Sequence, residues 1–163
     1  MIKKILILII FTTTFYTNAY CAGSSDSGSD NSNSNYDKAV SLIKSAKKYE
    51  KKNKKEKAIK NYTKAQKLLI KSNNKKPNNA DTLNYLGFTT RKLGDYVNGE
   101  KYYLQGLNVE PNHNGINEYL GELYVATNRM DLAKERLEVL KNCNCEEFND
   151  LKEVIEGTKK SKY

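Results

Sequence analysis

Residues 80–113 carry the most informative stretch of the chain, ADTLNYLGFTTRKLGDYVNGEKYYLQGLNVEPNH. Its first half places Leu83, Leu86 and Leu93 at helical spacing, which predicts an amphipathic helix. A second helical pattern follows Gly94, a residue type that ends helices without steric cost. The stretch therefore predicts two helices joined by a tight turn.

Two further copies of this pattern flank it. Residues 114–147 align with residues 80–113 without gaps, at a period of 34 residues. Residues 39–79 match less closely, because residues 67–76 contain an insertion of about two helical turns. A fixed period of this length predicts a stack of helical repeats, in which each repeat buries its apolar face against the next.

Seven helices are predicted from these patterns, at 36–52, 55–73, 80–92, 96–109, 114–127, 130–142 and 146–157. Asn53, Gly94 and Asn128 occupy the same slot between the two helices of each pair. Because Asn and Gly tolerate positive φ, all three are expected to form left-handed helix endings.

The central copy holds Leu, small, aromatic and Pro residues at characteristic positions, namely Leu83, Leu86, Gly87, Gly99, Tyr103, Gly106 and Pro111. On these residues the chain resembles the tetratricopeptide repeat family, and looks like its small exported bacterial members. The resemblance implies an all-α, right-handed solenoid of three helix pairs and a C-terminal capping helix. The implied units are a divergent repeat at 36–79 with an extended second helix, repeats at 80–113 and 114–145, and a capping helix and tail at 146–163.

The resemblance also implies that the first helix of each pair lines a concave groove that binds a protein or peptide. The candidate groove residues are Asn84, Phe88, Arg91, Glu118, Tyr119 and Glu122. Phe88 lies between polar neighbours, as a peptide-binding anchor would, and the alternative is that it packs against the next helix. The two Glu favour a partner that bears Lys or Arg. The sequence thus predicts an interaction protein with a scaffold or adaptor role.

The net charge of +9 is unevenly distributed. Residues 36–79 hold fifteen Lys against three acidic residues, whereas residues 80–163 are slightly acidic. This gives an alternative function, in which the first repeat holds an anionic lipid or cell-wall polymer at the envelope. Nucleic-acid binding is not expected, because the nearby aromatic residues fall in core positions.

The chain contains one His and three Cys, and no phosphate loop, nucleophile elbow or paired-His metal motif. We therefore expect a non-enzyme without cofactor or metal. We expect Cys143 and Cys145 to be two thiols. The second alternative is a local disulfide between them, and the third is a redox role. His113 is expected to be a solvated turn residue.

The N-terminus has the layout of a secretory signal peptide at 1–22. Lys3 and Lys4 precede an apolar run, Ile5–Phe11, which is too short for a stable membrane span. A Ser/Asn/Gly linker at 23–35 follows and is expected to be disordered. These features predict export across the inner membrane into the periplasm, with an uncleaved anchor or a lipidated Cys21 as the alternatives.

Overall fold

The computed structural model describes residues 34–161, which form seven α-helices and no strand. The helices are α1 (Asn35–Lys51), α2 (Lys55–Lys75), α3 (Ala80–Lys92), α4 (Tyr96–Val109), α5 (Asn114–Ala126), α6 (Met130–Leu140) and α7 (Glu146–Ile155). Within this part of the chain, no helix combines the length and the apolar character needed to cross a membrane. The predicted signal peptide at 1–22, with Cys21, and residues 23–33 of the predicted linker lie outside the described residues.

The predicted helix bounds are confirmed to within two residues. The first helix begins at Asn35, within the segment predicted as linker, because Ser34 starts a capping box. The Ser34 hydroxyl accepts a hydrogen bond from the backbone N–H of Asp37, and the Asp37 carboxylate accepts one from the Ser34 N–H in return. This reciprocal pair satisfies two amide groups that an uncapped helix would leave unpaired.

The turns inside the three helix pairs are left-handed, as predicted. Asn53, Gly94 and Asn128 have φ values of 56°, 94° and 58°. The side chain of Asp95 then accepts a hydrogen bond from the backbone N–H of Asn98 and so caps α4. Each pair thus reverses direction over a few residues and packs as an antiparallel hairpin.

The helices pack in two layers, one made by the first helix of each pair (α1, α3 and α5) and the other by the second helix (α2, α4 and α6). Contacts join α1 to α2, α3 to α4 and α5 to α6 within the pairs, and the first helices also touch in the order α1, α3, α5. Helix α7 packs against α5 and α6. The protein is therefore an all-α solenoid of three helix pairs that ends in a terminal helix.

Two glycines allow close approach between helices in this solenoid. A Cβ atom on Gly87 of α3 would lie 2.5 Å from Cε1 of Tyr103, whose side chain is fully buried in α4. A Cβ atom on Gly121 of α5 would lie 2.5 Å from Cδ2 of Leu151 in α7. Both distances are far inside van der Waals contact, so a larger residue at either position would push the helices apart.

Candidate functional site

The six predicted groove residues lie on α3 and α5, and all of them are buried. Of the two alternatives for Phe88, an accessible peptide anchor or packing against a neighbouring helix, the structure shows the second, because only 1% of this residue is accessible. Its ring packs against Tyr62, with ring centroids 5.8 Å apart, and against Tyr119, with centroids 5.2 Å apart. Phe88 is thus a core residue that joins the first two repeats to the third.

Lys47 of α1 covers this aromatic group. Its Nζ lies 4.6 Å from the centre of the Phe88 ring and 3.4 Å from the hydroxyl oxygen of Tyr119. A cation over an aromatic face is attracted by the ring quadrupole. The contact therefore ties α1 to α3 and α5, which makes the first-helix layer continuous.

Arg91 and Glu122 form a buried ion pair between α3 and α5. The Arg91 Nη2 lies 3.2 Å from Glu122 Oε2, and neither side chain is accessible to solvent. Arg91 also donates a hydrogen bond to the backbone carbonyl of Tyr119. Burial lowers the pKa of Arg91 to about 10, so the guanidinium remains charged at neutral pH. This pair links the second repeat to the third.

A cavity of about 460 Å³ opens next to these residues, between the N-terminal halves of α3 and α5. We call it the α3–α5 cavity. Its lining residues are Tyr36, Asp81, Asn84, Tyr85, Glu110, Asn112, His113, Asn114, Gly115, Glu118, Tyr119 and Glu147. Three of the six predicted groove residues, Asn84, Glu118 and Tyr119, therefore come together at one site, whereas Phe88, Arg91 and Glu122 lie outside it.

Asn84 is a buried amide in the wall of this cavity, and its side-chain oxygen has no hydrogen-bond donor among the described residues. Only 7% of the residue is accessible, and its Oδ1 accepts no hydrogen bond from any described residue. Its Nδ2 lies 2.8 Å from the position that a Cβ atom on Gly115 would occupy. The absence of a side chain at Gly115 therefore makes room for the Asn84 amide in the wall.

Two tyrosines form the side of the cavity that adjoins α1. The rings of Tyr36 and Tyr85 lie with centroids 5.9 Å apart and planes tilted by 59°. Burial, and secondarily the charge of Asp81, raises the pKa of both hydroxyls. Both tyrosines are therefore neutral at physiological pH, and both line the cavity together with Asp81.

His113 has a defined role that the sequence analysis missed. Its Nδ1 accepts a hydrogen bond from the backbone N–H of Ile116 and so caps α5, while its Nε2 lies 3.2 Å from Asp81 Oδ1. Nε2 therefore carries the proton and donates to Asp81. The side chain is 13% exposed, so the expectation of a solvated residue is wrong. The missing information was the contact with Asp81, which is distant in sequence.

Cys143 and Cys145 are joined in a disulfide, with Cα atoms 5.2 Å apart. Asn144 between them has a φ of 49°, so the chain turns sharply enough for the two side chains to meet. The structure thus shows the second of the three expected states rather than two thiols. The disulfide lies in the turn between α6 and α7.

Among residues 34–161, no group of three or more His, Cys, Asp and Glu side chains is arranged to hold a metal ion.

No protein-family model and no curated protein matches the sequence. Among solved structures, the chain is similar to the first tetratricopeptide repeat domain of Spaghetti (RPAP3), which was solved bound to the HSP90 peptide SRMEEVD. The identity is 21%, the match covers 76% of this chain and 94% of that chain, and the TM-score is 0.48. The repeat length, the paired helices and the left-handed turns of the chain itself make its architecture tetratricopeptide-like.

Proposed function

We propose that the protein is a non-catalytic interaction protein that binds a segment of a partner protein at the α3–α5 cavity. The observation that carries this proposal is the cavity of about 460 Å³ itself, whose wall brings Asn84 of α3 together with Glu118 and Tyr119 of α5. The Asn84 Nδ2 lies next to Gly115, another residue of the cavity wall, and it can donate a hydrogen bond to a backbone carbonyl of a bound segment.

The surroundings of Asn84 support binding rather than catalysis. The cavity volume lies in the range of about 300–1,000 Å³ that is typical of ligand sites. Its walls offer amide, carboxylate and tyrosine groups, which are suited to orienting a segment. The one imidazole in the wall, His113, is engaged by the Ile116 N–H and by Asp81. Because these two contacts hold the imidazole, it serves to cap α5, and the cavity wall serves to recognise a ligand.

The second candidate function is contact with an anionic lipid or polymer through the first repeat. Lys60, Lys64, Lys67 and Lys71 lie at helical spacing on α2, and all four are exposed. Further exposed lysines lie on α1 and in the turn before α2, so the positive charge surrounds both helices of this repeat and these four form one stripe of it. Ile59 and Ile70 lie beside it and are 52% and 41% exposed. A basic stripe with apolar flanks is attracted to anionic surfaces.

The proposed function is tested by selecting binders from a display library of random peptides. We expect selected peptides to lose about five- to a hundredfold in affinity for the Asn84→Ala variant, the range of a central interface residue. Asn108→Ala is the matched control, because Asn108 is an exposed residue of α4 in the other layer. Phe88→Ala is not used, because removing a buried ring would itself destabilise the fold.

A variant with Lys60, Lys64, Lys67 and Lys71 all replaced by Gln separates the two candidate functions. We expect it to bind the selected peptides within about twofold of the unmodified protein. If no peptides are enriched, or if the lysine variant loses binding while Asn84→Ala does not, the cavity is not the interaction site. The second candidate then takes its place.

We further propose that the protein is exported with loss of about 22 residues, on the basis of Lys3, Lys4 and the apolar run Ile5–Phe11. Intact-mass measurement of the protein from fractionated cells is expected to show a mature chain that begins near residue 23 in the periplasmic fraction. A chain that retains Met1 and is found in the cytosol would contradict the proposal.

A further inference from the structure

We infer that residues 157–161 act as an internal ligand, which covers the surface beside the α3–α5 cavity and competes with the partner segment for it. We call these residues the return segment, because they follow α7 and double back along it. This regulation rests on the proposed function, since the partner segment must enter the same site. Its basis is a pair of side-chain contacts that join the return segment to α5 and α7.

The return segment reverses direction at Gly157 and is fastened at two points. Gly157 has a φ of 71°, a left-handed conformation that ends α7. Lys159 then forms an ion pair with the Asp150 carboxylate of α7. Two residues further on, the Ser161 hydroxyl donates a hydrogen bond of 3.0 Å to Glu122 Oε2 of α5. The segment therefore bridges the last helix of the solenoid and the first-helix layer.

The surface beneath the return segment lies about one helical turn beyond the α3–α5 cavity. Glu118 of α5 and Glu147 of α7 both line that cavity, and the two helices pack against each other. Glu122 and Asp150 lie one turn further along their helices, a distance of about 5.4 Å. An extended residue spans about 3.3–3.6 Å, so two further residues carry a bound segment from the cavity to the return segment.

Polar contacts hold the return segment in place, so a competing ligand can replace it. Its sequence, Gly-Thr-Lys-Lys-Ser, offers no large apolar side chain to bury, and three of its five residues are exposed. The backbone N–H groups of Thr158 and Lys159 donate hydrogen bonds to the Glu153 carbonyl at the end of α7. Beyond Lys159 the attachment depends on the Ser161 hydroxyl. A segment held in this way opens locally at a small cost in free energy.

The two contacts identify the groups that a competing segment must offer. Asp150 accepts a hydrogen bond from an ammonium group, and this bond raises the pKa of Lys159, which is therefore charged at neutral pH. Glu122 Oε2 accepts a hydrogen bond from a hydroxyl and also lies 3.2 Å from Arg91 Nη2. A partner segment with a Lys, and a Ser or Thr two residues further on, presents the same groups in the same order.

An internal ligand lowers the apparent affinity of the site for every external one. The apparent dissociation constant is the intrinsic value divided by the fraction of molecules in which the site is open. A short covalent connection keeps the internal ligand at an effective concentration in the millimolar range. The return segment therefore excludes weak ligands and yields to a segment that also gains contacts inside the cavity.

The first test compares two variants of the full chain. The loosened variant combines Lys159→Gln with Ser161→Ala, which removes both attachments. The control is Lys160→Gln, which removes the same charge from an exposed neighbouring residue. We expect dodecapeptides selected from the display library to bind the loosened variant about three- to thirtyfold more tightly than the unmodified chain. The control variant is expected to bind them within about twofold of the unmodified chain.

The second test supplies the return segment as a separate molecule. A capped peptide with the sequence of residues 156–161, EGTKKS, is titrated into the loosened variant and followed by NMR. We expect the backbone signals of residues 121–123 and 150–153 to shift saturably. Binding to the unmodified chain is expected to be about five- to fiftyfold weaker, because its own return segment occupies the surface. A peptide with norleucine in place of Lys159 lacks the ammonium and is expected to bind about five- to fiftyfold more weakly.

Four results would overturn the inference. They are the absence of saturable shifts in the loosened variant, equal binding of the norleucine peptide, equal affinity of the dodecapeptides for the loosened and unmodified chains, and an equal gain in affinity for Lys160→Gln. The two proposals fail separately. Dodecapeptides that depend on Asn84 but bind both chains equally would keep the proposed function and refute the internal ligand. Saturable binding of EGTKKS without any enriched library peptide would do the reverse.

Discussion

Replacing Glu122 with Gln is expected to lower the free energy of unfolding by about 3–5 kcal/mol, the cost of removing one member of a buried ion pair. The variant preserves the shape of the side chain but removes the negative charge that lies 3.2 Å from the Arg91 guanidinium. Both side chains are inaccessible to solvent, so water does not compensate for the loss. Urea denaturation followed by circular dichroism measures the change.

The matched control is the ion pair between Glu100 and Arg129, which also joins the second and third repeats. Arg129 donates two hydrogen bonds to the Glu100 carboxylate at 2.8 and 2.7 Å, but these side chains are 36% and 21% exposed. Glu100→Gln is therefore expected to cost only about 0.2–1 kcal/mol. Equal losses for the two Gln variants would show that the Arg91–Glu122 pair is not the buried link described above.

Leu151→Ala is expected to lower the free energy of unfolding by about 2–5 kcal/mol, because it empties a fully buried site. The Leu151 side chain fills the space above Gly121, through which α7 docks on α5. The loss should therefore be largest locally, as faster hydrogen exchange in α5 and α6. Hydrogen exchange followed by mass spectrometry measures this effect.

Val139→Ala on α6 is the control for this prediction, because Val139 is 39% exposed, and we expect its effect to stay within about 0.5 kcal/mol. Gly121→Ala acts on the same contact from the opposite side. Its new methyl group would overlap Leu151, at an expected cost of about 1–3 kcal/mol. If exchange in α5 and α6 is unaffected by Leu151→Ala, α7 does not protect the end of the solenoid.

The fold was predictable because its determinants are local or periodic. Helical spacing locates the helices, and Asn53, Gly94 and Asn128 mark the turns inside each pair. The 34-residue period then predicts the stacking of the pairs. Each of these signals lies within a few residues of the structure that it determines, or repeats at a fixed distance.

The candidate site was predictable only in part, because helical periodicity gives the face of a helix and not the depth of burial. Asn84 and Glu118 do lie at one cavity, as their shared face implies. Phe88 lies on the same face but is enclosed by Tyr62 of α2 and Tyr119 of α5. Such enclosure depends on contacts between distant segments, which a single sequence does not encode in any pattern.

The disulfide between Cys143 and Cys145 spans one intervening residue, and this short span determines what its reduction does. A cross-link restricts the unfolded chain by an amount that grows with the loop it closes, from about 3 kcal/mol for 15 residues to 4.7 kcal/mol for 100. A loop of this size therefore restricts the unfolded chain far less. Reduced and oxidised chains would also have nearly the same hydrodynamic size when denatured, so they would migrate together in an electrophoresis gel. The oxidation state of this protein must consequently be determined by mass or by thiol labelling.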